Sequence, residues 1–241
     1  ESGTRAAIMG GVTTVFDMPN TKPSTTTHEL YMEKYNLVKT KSHCDFGLFF
    51  GASDENAIDA SKAYELPSCC GIKIFMGSST GSLLVHEDQQ LTEHFKNSSH
   101  RQVFAIHAED EKTLNERKAL LDEKISSTKT PVTLHPFWRN AESALKATQR
   151  IVKLSQKWNQ KIHILHISSQ EEVEFLFKNK TPNITLEVLP QHLFFAAPHC
   201  YEKWGTRVQQ NPPLREPRHQ EALWKAVQGG LFDIIGSDHA P

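Results

Sequence analysis

Lys73 stands in the middle of Gly71-Ile72-Lys73-Ile74-Phe75-Met76-Gly77, a short β-branched and aromatic run. Alternate side chains of a strand share a face, so Lys73 lies with Gly71 and Phe75 while Ile72, Ile74 and Met76 take the other side. An ammonium buried there without a partner is costly, so such a lysine is paired, deprotonated or chemically modified. Taken alone, the run fits an edge lysine that reaches water better. The rest of the chain reverses that preference. His107 and His166 each close an apolar run, Val103-Phe104-Ala105-Ile106-His107 and Ile162-His163-Ile164-Leu165-His166, which puts their imidazoles at sheet ends. His163, three residues before His166, is expected on the opposite face and is the weaker ligand candidate. Asp238 follows the apolar run 232–236 and reads by itself as a turn or helix cap; Asn20 and Asn211, each beside proline, read as turn residues. His28, His43, His94, His100 and His219 read as hydrogen-bonded or exposed structural residues. Together, however, two histidines, a carboxylate and a neutralised lysine suit zinc or a related divalent ion.

The elements that must position these groups alternate between strand-like and helix-like segments. Strands are expected at 12–16, 45–51, 71–76, 103–107, 161–167, 184–188 and 232–236. Helices are expected at 27–41, 54–64, 86–95, 114–124, 140–158, 170–178 and 216–227. A loop is expected at 77–82 and a long irregular stretch around Asn211-Pro212-Pro213. Glu109, Asp110 and Glu111 suit the first turn of the helix that follows them. Repeated β-α units with apolar strands imply an α/β fold with a parallel sheet covered by helices. The polar candidates Asn20, Lys73, His107, His166 and Asp238 recur at the ends of different strands. That placement favours a barrel, whose chemistry gathers at the C-terminal strand ends, over an open sheet with one switch point.

At 241 residues, 38% hydrophobic and 23% charged, the chain suits a single barrel domain over 1–241. A net charge of -1 gives no general electrostatic reason to expect a nucleic acid or an anionic membrane as partner, and leaves a small-molecule substrate. The four cysteines show no CxxC spacing, and no signal peptide or long apolar span is visible, so a cytoplasmic location is expected. The chain opens on Glu1 without a start methionine and reads as an excerpt of a longer protein.

Six segments, in this order, closely resemble dihydroorotases of the amidohydrolase superfamily: Met18-Pro19-Asn20-Thr21, Gly71-Ile72-Lys73-Ile74-Phe75-Met76, His107-Ala108-Glu109-Asp110, His166-Ile167-Ser168, Asn211-Pro212-Pro213-Leu214-Arg215 and Ser237-Asp238-His239-Ala240-Pro241. The likeness runs through nearly the whole chain. It implies a metal-dependent (β/α)8 TIM-type barrel, here incomplete at both ends, that interconverts N-carbamoyl-L-aspartate and L-dihydroorotate in pyrimidine synthesis, and a homodimer is expected. Carried over by the resemblance, Lys73 is a carbamylated bridge between two divalent metal ions, zinc by expectation. His107 and His166 are ligands of one metal, and Asp238 is a ligand of the other and the proton shuttle. Asn20 and Asn211 bind substrate. A metal-activated hydroxide attacks the ring amide in the hydrolytic direction while Asp238 carries the proton to the departing nitrogen. The family's His-x-His-x-Arg segment is expected before residue 1 and a further histidine after Pro241. Pro190-Gln191-His192 departs from the family, in which many members have two histidines there, and leaves His192 without an assigned role.

Two alternatives share much of this pattern. A hydantoinase or allantoinase uses the same metal chemistry; the segments around Asn20 and Asn211 favour dihydroorotase. A non-catalytic dihydroorotase-like subunit is expected to lack ligands, yet Lys73, His107, His166 and Asp238 are all present.

Overall fold

The computed structural model describes residues 1–78, 83–124 and 131–240, so the loop expected at 77–82 falls mostly outside the described residues. Seven strands form one sheet: β1 (Thr14–Asp17), β2 (Asp45–Gly51), β3 (Cys69–Phe75), β4 (Val103–His107), β5 (Lys161–Ile164), β6 (Ile184–Val188) and β7 (Ile234–Ile235). They lie side by side in sequence order, and every neighbouring pair is parallel.

Parallel neighbours require a crossover from the end of one strand to the start of the next, and helices supply it. The helix α1 (Ser2–Met9) precedes β1, α2 (His28–Lys41) joins β1 to β2, α3 (Ala57–Ser61) joins β2 to β3, and α4 (Asp88–Asn97) joins β3 to β4. Between β4 and β5 run α5 (Glu111–Lys124), α6 (His135–Trp138) and α7 (Ala141–Trp158). The helix α8 (Gln170–Asn179) leads to β6, and α9 (Pro190–Phe194), α10 (His199–Trp204) and α11 (Pro217–Gln228) lead to β7. Local chemistry sets several of these ends. Thr27 caps α2 by accepting from the Leu30 amide, Asn140 caps α7 by accepting from Ser143, and Ser169 with Glu172 forms a reciprocal capping box on α8.

The alternation of side chains across the sheet builds two apolar layers. Ile72, Ile74 and Met76 join Phe104, Ile106, Ile162, Ile164 and Leu186 against helix residues such as Ala147, Ile151 and Leu176. On the other face a smaller cluster gathers Phe49, Ala105 and Leu165. Lys73 belongs to that second face, in a row of register partners that runs Gly51, Lys73, Ala105, His163, Thr185. Its two immediate neighbours in the row are Gly51 and Ala105, and Pro19, Thr25 and Leu83 pack close over Gly51. No helix among the described residues is long and apolar enough to cross a membrane.

Several expected boundaries shift, for identifiable reasons. The strand expected at 161–167 stops at Ile164, because His166 adopts a left-handed backbone with φ +41° that cannot continue a strand. The strand expected at 232–236 contracts to Ile234–Ile235. The helix expected at 54–64 divides into α3 and a 3-10 turn, Ala63–Glu65. The stretch expected to be irregular holds α9 and α10, each too short to show a hydrophobic period.

Candidate active site

The sheet brings Lys73, His107 and His166 together from β3, the end of β4 and the turn after β5. Lys73 is buried, and its Nζ lies 4.3 Å from the centre of the Phe75 ring. Burial lowers the pKa of its amine to about 7, against the opposing pull of Asp238 and Glu187. Nδ1 of His107 stands 3.1 Å from Nε2 of His166. Burial holds both imidazoles below their ordinary pKa, and for His166 the charges of His107 and Lys73 add to it. Both rings are therefore neutral at pH 7, which is the form that binds metals.

A carboxylate decides which nitrogen of His107 carries the proton. Nε2 lies 2.8 Å from Oε2 of Glu109, a side chain with no exposed surface. Burial alone would raise the pKa of Glu109, but the Arg139 guanidinium and the hydrogen bond from His107 outweigh it and hold the carboxyl at about 2. An ionised carboxylate only accepts, so Nε2 of His107 donates and Nδ1 is a lone pair directed at His166.

Glu109 thus differs from the helix-terminal acid expected from the sequence. Asp110 and Glu111 do serve the start of α5, Asp110 by accepting from the Thr113 amide at 3.0 Å and Glu111 as its first residue. Glu109 turns inward instead. Arg139, which clamps it, gave no local signal, because the contact spans 30 residues.

His163 also needs correction. It shares the sheet row of Lys73 and so lies on the same face as the cluster, not opposite to it. The alternation argument failed because the strand ends between His163 and His166. His163 is held by Thr185, whose hydroxyl lies 2.9 Å from its Nδ1. Glu187, not singled out from the sequence, accepts the His166 amide at 3.1 Å through Oε1 and contributes to the field at both Lys73 and Asp238. Its period-two spacing from Thr185 was the available signal.

Asp238 follows β7 with φ +45° and is exposed. Partial withdrawal from water raises its pKa, opposed by the nearby Lys73 and His107. Asn20 is exposed in the loop after β1. Asn211 is half-buried, and His135 meets both its Oδ1, at 3.1 Å, and the Gln210 carbonyl, at 3.0 Å, through Nε2. Both partners are oxygens, so Nε2 donates and the amide of Asn211 is turned to keep its NH2 group for donation elsewhere. His192 is buried in α9, with Nε2 3.2 Å from the Pro212 carbonyl, and so fastens the segment that carries Asn211. His239 is exposed, its amide donating to Ser237 Oγ.

Among the described residues, no three histidine, cysteine, aspartate or glutamate side chains converge as a finished metal centre would. The donor chemistry nevertheless fits a divalent ion. Nδ1 of His107 and Nε2 of His166, one nitrogen from each of two neutral imidazoles, lie 3.1 Å apart, and beside them lies a buried amine with no carboxylate within ion-pair distance among the described residues.

Burial, with the Arg215 charge, lowers His192 from 6.5 to about 4. Such a histidine takes up a proton on unfolding, so its contribution to stability is complete above about pH 6.5 and is lost as the pH falls toward 4. The difference corresponds to about 3 kcal/mol. In the full-length protein, His192→Gln should flatten the fall in unfolding free energy over that window by roughly this amount. Parallel pH curves for both proteins would remove His192 as the source.

No family model matches the chain. A dihydroorotase from Methanosphaera stadtmanae is 33% identical over 243 residues, which is 100% of this chain and 53% of the relative. An allantoinase from Deinococcus radiodurans is 32% identical over 248 residues, 100% of this chain and 54% of the relative. Among solved structures, an L-hydantoinase (dihydropyrimidinase) from Arthrobacter aurescens superposes with a TM-score of 0.89 at 25% identity, covering 98% of this chain and 52% of the other. An inactive dihydroorotase-like domain of a Chaetomium thermophilum CAD-like multifunctional protein shares the fold at a TM-score of 0.66 and 18% identity, covering 97% of this chain and 56% of the other. The chain spans about half the length of the curated relatives it matches. Its parallel α/β sheet is thus part of an amidohydrolase-type barrel, and the resemblance to dihydroorotases, read from six segments, holds from one end of the chain to the other.

Proposed function

We propose that the protein containing this chain is a dihydroorotase that interconverts N-carbamoyl-L-aspartate and L-dihydroorotate. The observation that carries this reading is the buried cluster of Lys73, His107 and His166 at adjoining strand ends, with Asp238 on its rim. Lys73, His107, His166 and Asp238 would hold two divalent ions, with zinc favoured by the two imidazoles. When bound, such ions supply Lewis acidity and water of lowered pKa. Asp238, with a raised pKa and a place at the open edge, is suited to take a proton from water and hand it to the departing ring nitrogen, or the reverse on ring closure. Asn211 presents its NH2 group for the substrate's carboxylate, and Asn20, in the loop after β1, is the second amide assigned to it.

Asn211→Ala in the full-length enzyme should weaken dihydroorotate binding by about 1.5–3 kcal/mol, the worth of a hydrogen bond to a charged group, while bound metal stays unchanged. An unaltered KM and kcat would exclude Asn211 from the site.

The similarity to an allantoinase supports a second reading, a cyclic amidohydrolase of other specificity. Assays of the full-length, metal-loaded protein against dihydroorotate, N-carbamoyl-L-aspartate, hydantoin and allantoin separate them. Turnover confined to hydantoin or allantoin would overturn the dihydroorotase reading, and turnover of none of the four would favour a non-catalytic subunit.

A further inference from the structure

We propose that Glu109 is a positioning residue: clamped by Arg139, it accepts a hydrogen bond from Nε2–H of His107, holds the proton on that nitrogen, and so commits Nδ1 of the ring, as a lone pair, to the point where it faces Nε2 of His166. The inference rests on the metal reading only for the identity of what occupies that point. The tautomer itself follows from the contacts of Glu109.

Those contacts leave the carboxylate one position. Nε of Arg139 donates to Oε1 at 3.1 Å and to Oε2 at 3.0 Å, and Nη2 of the same guanidinium donates to Oε2. Arg139 is itself held. Its Nη1 donates to the Ser78 carbonyl at 2.8 Å, and its own carbonyl accepts from Nη1 of Arg215 at 2.8 Å. Ser78 is fixed in turn by Glu111, which accepts from its amide and its hydroxyl, each at 2.6 Å. The backbone is equally constrained: a Cβ on Gly77 would come within 2.6 Å of the Glu109 carbonyl oxygen, so the chain leaving β3 packs directly on it. A carboxylate built into this frame is not free to follow the imidazole. The imidazole must follow the carboxylate.

An unconstrained neutral imidazole distributes its proton between the two nitrogens, and half of its ligating capacity then faces the wrong way. Fixing the proton on Nε2 removes that ambiguity, and a hydrogen bond from a ligand histidine to a carboxylate also raises the basicity of the opposite nitrogen. Loss of such outer partners typically lowers metal affinity about 10–100-fold.

The test uses full-length protein stripped of metal and labelled with 15N at histidine. In the wild type, the imidazole shifts of His107 should show the proton on Nε2. In Glu109→Gln they should move toward the other tautomer or a mixture, and zinc affinity, measured by competition with a chromogenic chelator, should fall about 10–100-fold. Glu109→Asp, which keeps the charge, should recover part of both. A proton on Nδ1 of His107 in the wild type overturns the proposal, and so does a variant with unchanged tautomer and affinity. If Glu109→Gln does not fold, the wild-type spectrum alone decides. A wild type that shows the Nε2 proton yet binds no zinc sustains the positioning role and defeats the metal reading instead.

Discussion

Lys73→Ala in the full-length protein is expected to lose bound metal and activity together, with turnover down by at least about 1,000-fold, or about 4 kcal/mol of activation barrier. Lys73 is withdrawn from water, and its amine sits near pH 7 in pKa, so a large fraction is uncharged under ordinary conditions. A neutral amine captures carbon dioxide to form a carbamate with release of a proton, which turns a cation into an anionic oxygen ligand and removes the objection to burying it among metal-binding groups. A short carboxylic acid added to the alanine variant should occupy the vacated space and restore part of the metal and part of the turnover. A structural lysine would behave differently, with stability lost and metal kept. Elemental analysis of the purified variant decides, and a full complement of both ions without Lys73 would end the bridging role.

The largest effect on stability is expected at Arg139. Arg139→Leu leaves the ionised, fully buried Glu109 with its main counter-charge gone, and breaking a buried pair from one side typically costs about 3–5 kcal/mol. The cost comes from the stranded charge more than from the lost attraction. Arg139→Leu combined with Glu109→Leu should therefore recover much of the stability that the single change loses. Urea unfolding of full-length protein measures both. A single variant within about 1 kcal/mol of wild type would show that Glu109 finds water or another donor when Arg139 leaves.

These two residues mark the border between what the sequence made legible and what it did not. The strands β2, β4 and β6 are apolar or β-branched runs, and their limits were readable to the residue. Lys73 lies inside such a run, so the alternation of side chains put it on the correct face, and His107 closes one, which put its imidazole at a sheet end. It failed for His163 because it assumed an unbroken strand through His166, whereas the left-handed residue there reorients the chain. Glu109 was misread for a different reason. Three acids before a helix satisfy the helix-terminus pattern so well that nothing local separates the buried one from its neighbours. Only Arg139, brought in from beyond α5, makes the distinction. Asn20 and Asn211 were named through family likeness. For Asn211, what His135 contributes, an orientation for the amide, depends on two segments far apart in the chain.

The order of strands in the sheet has a consequence for how this half of the barrel comes into being. Each strand pairs with the one before it in the chain, so each step of sheet growth bridges only the connection just completed, although those after β4 and β6 are long, and the entropy of closing a loop grows only slowly with its length. The sheet is therefore suited to assemble progressively as the chain emerges during synthesis, one βα unit on the last. Lys73, His107 and His166 come from three consecutive strands and would meet early. Asp238 lies beyond β7, and its arrival waits on the final unit. A nascent chain halted before β7 would hold the two imidazoles and the buried lysine without Asp238, so under the proposed roles the growing chain would acquire its metal-facing nitrogens before the carboxylate proposed for proton transfer.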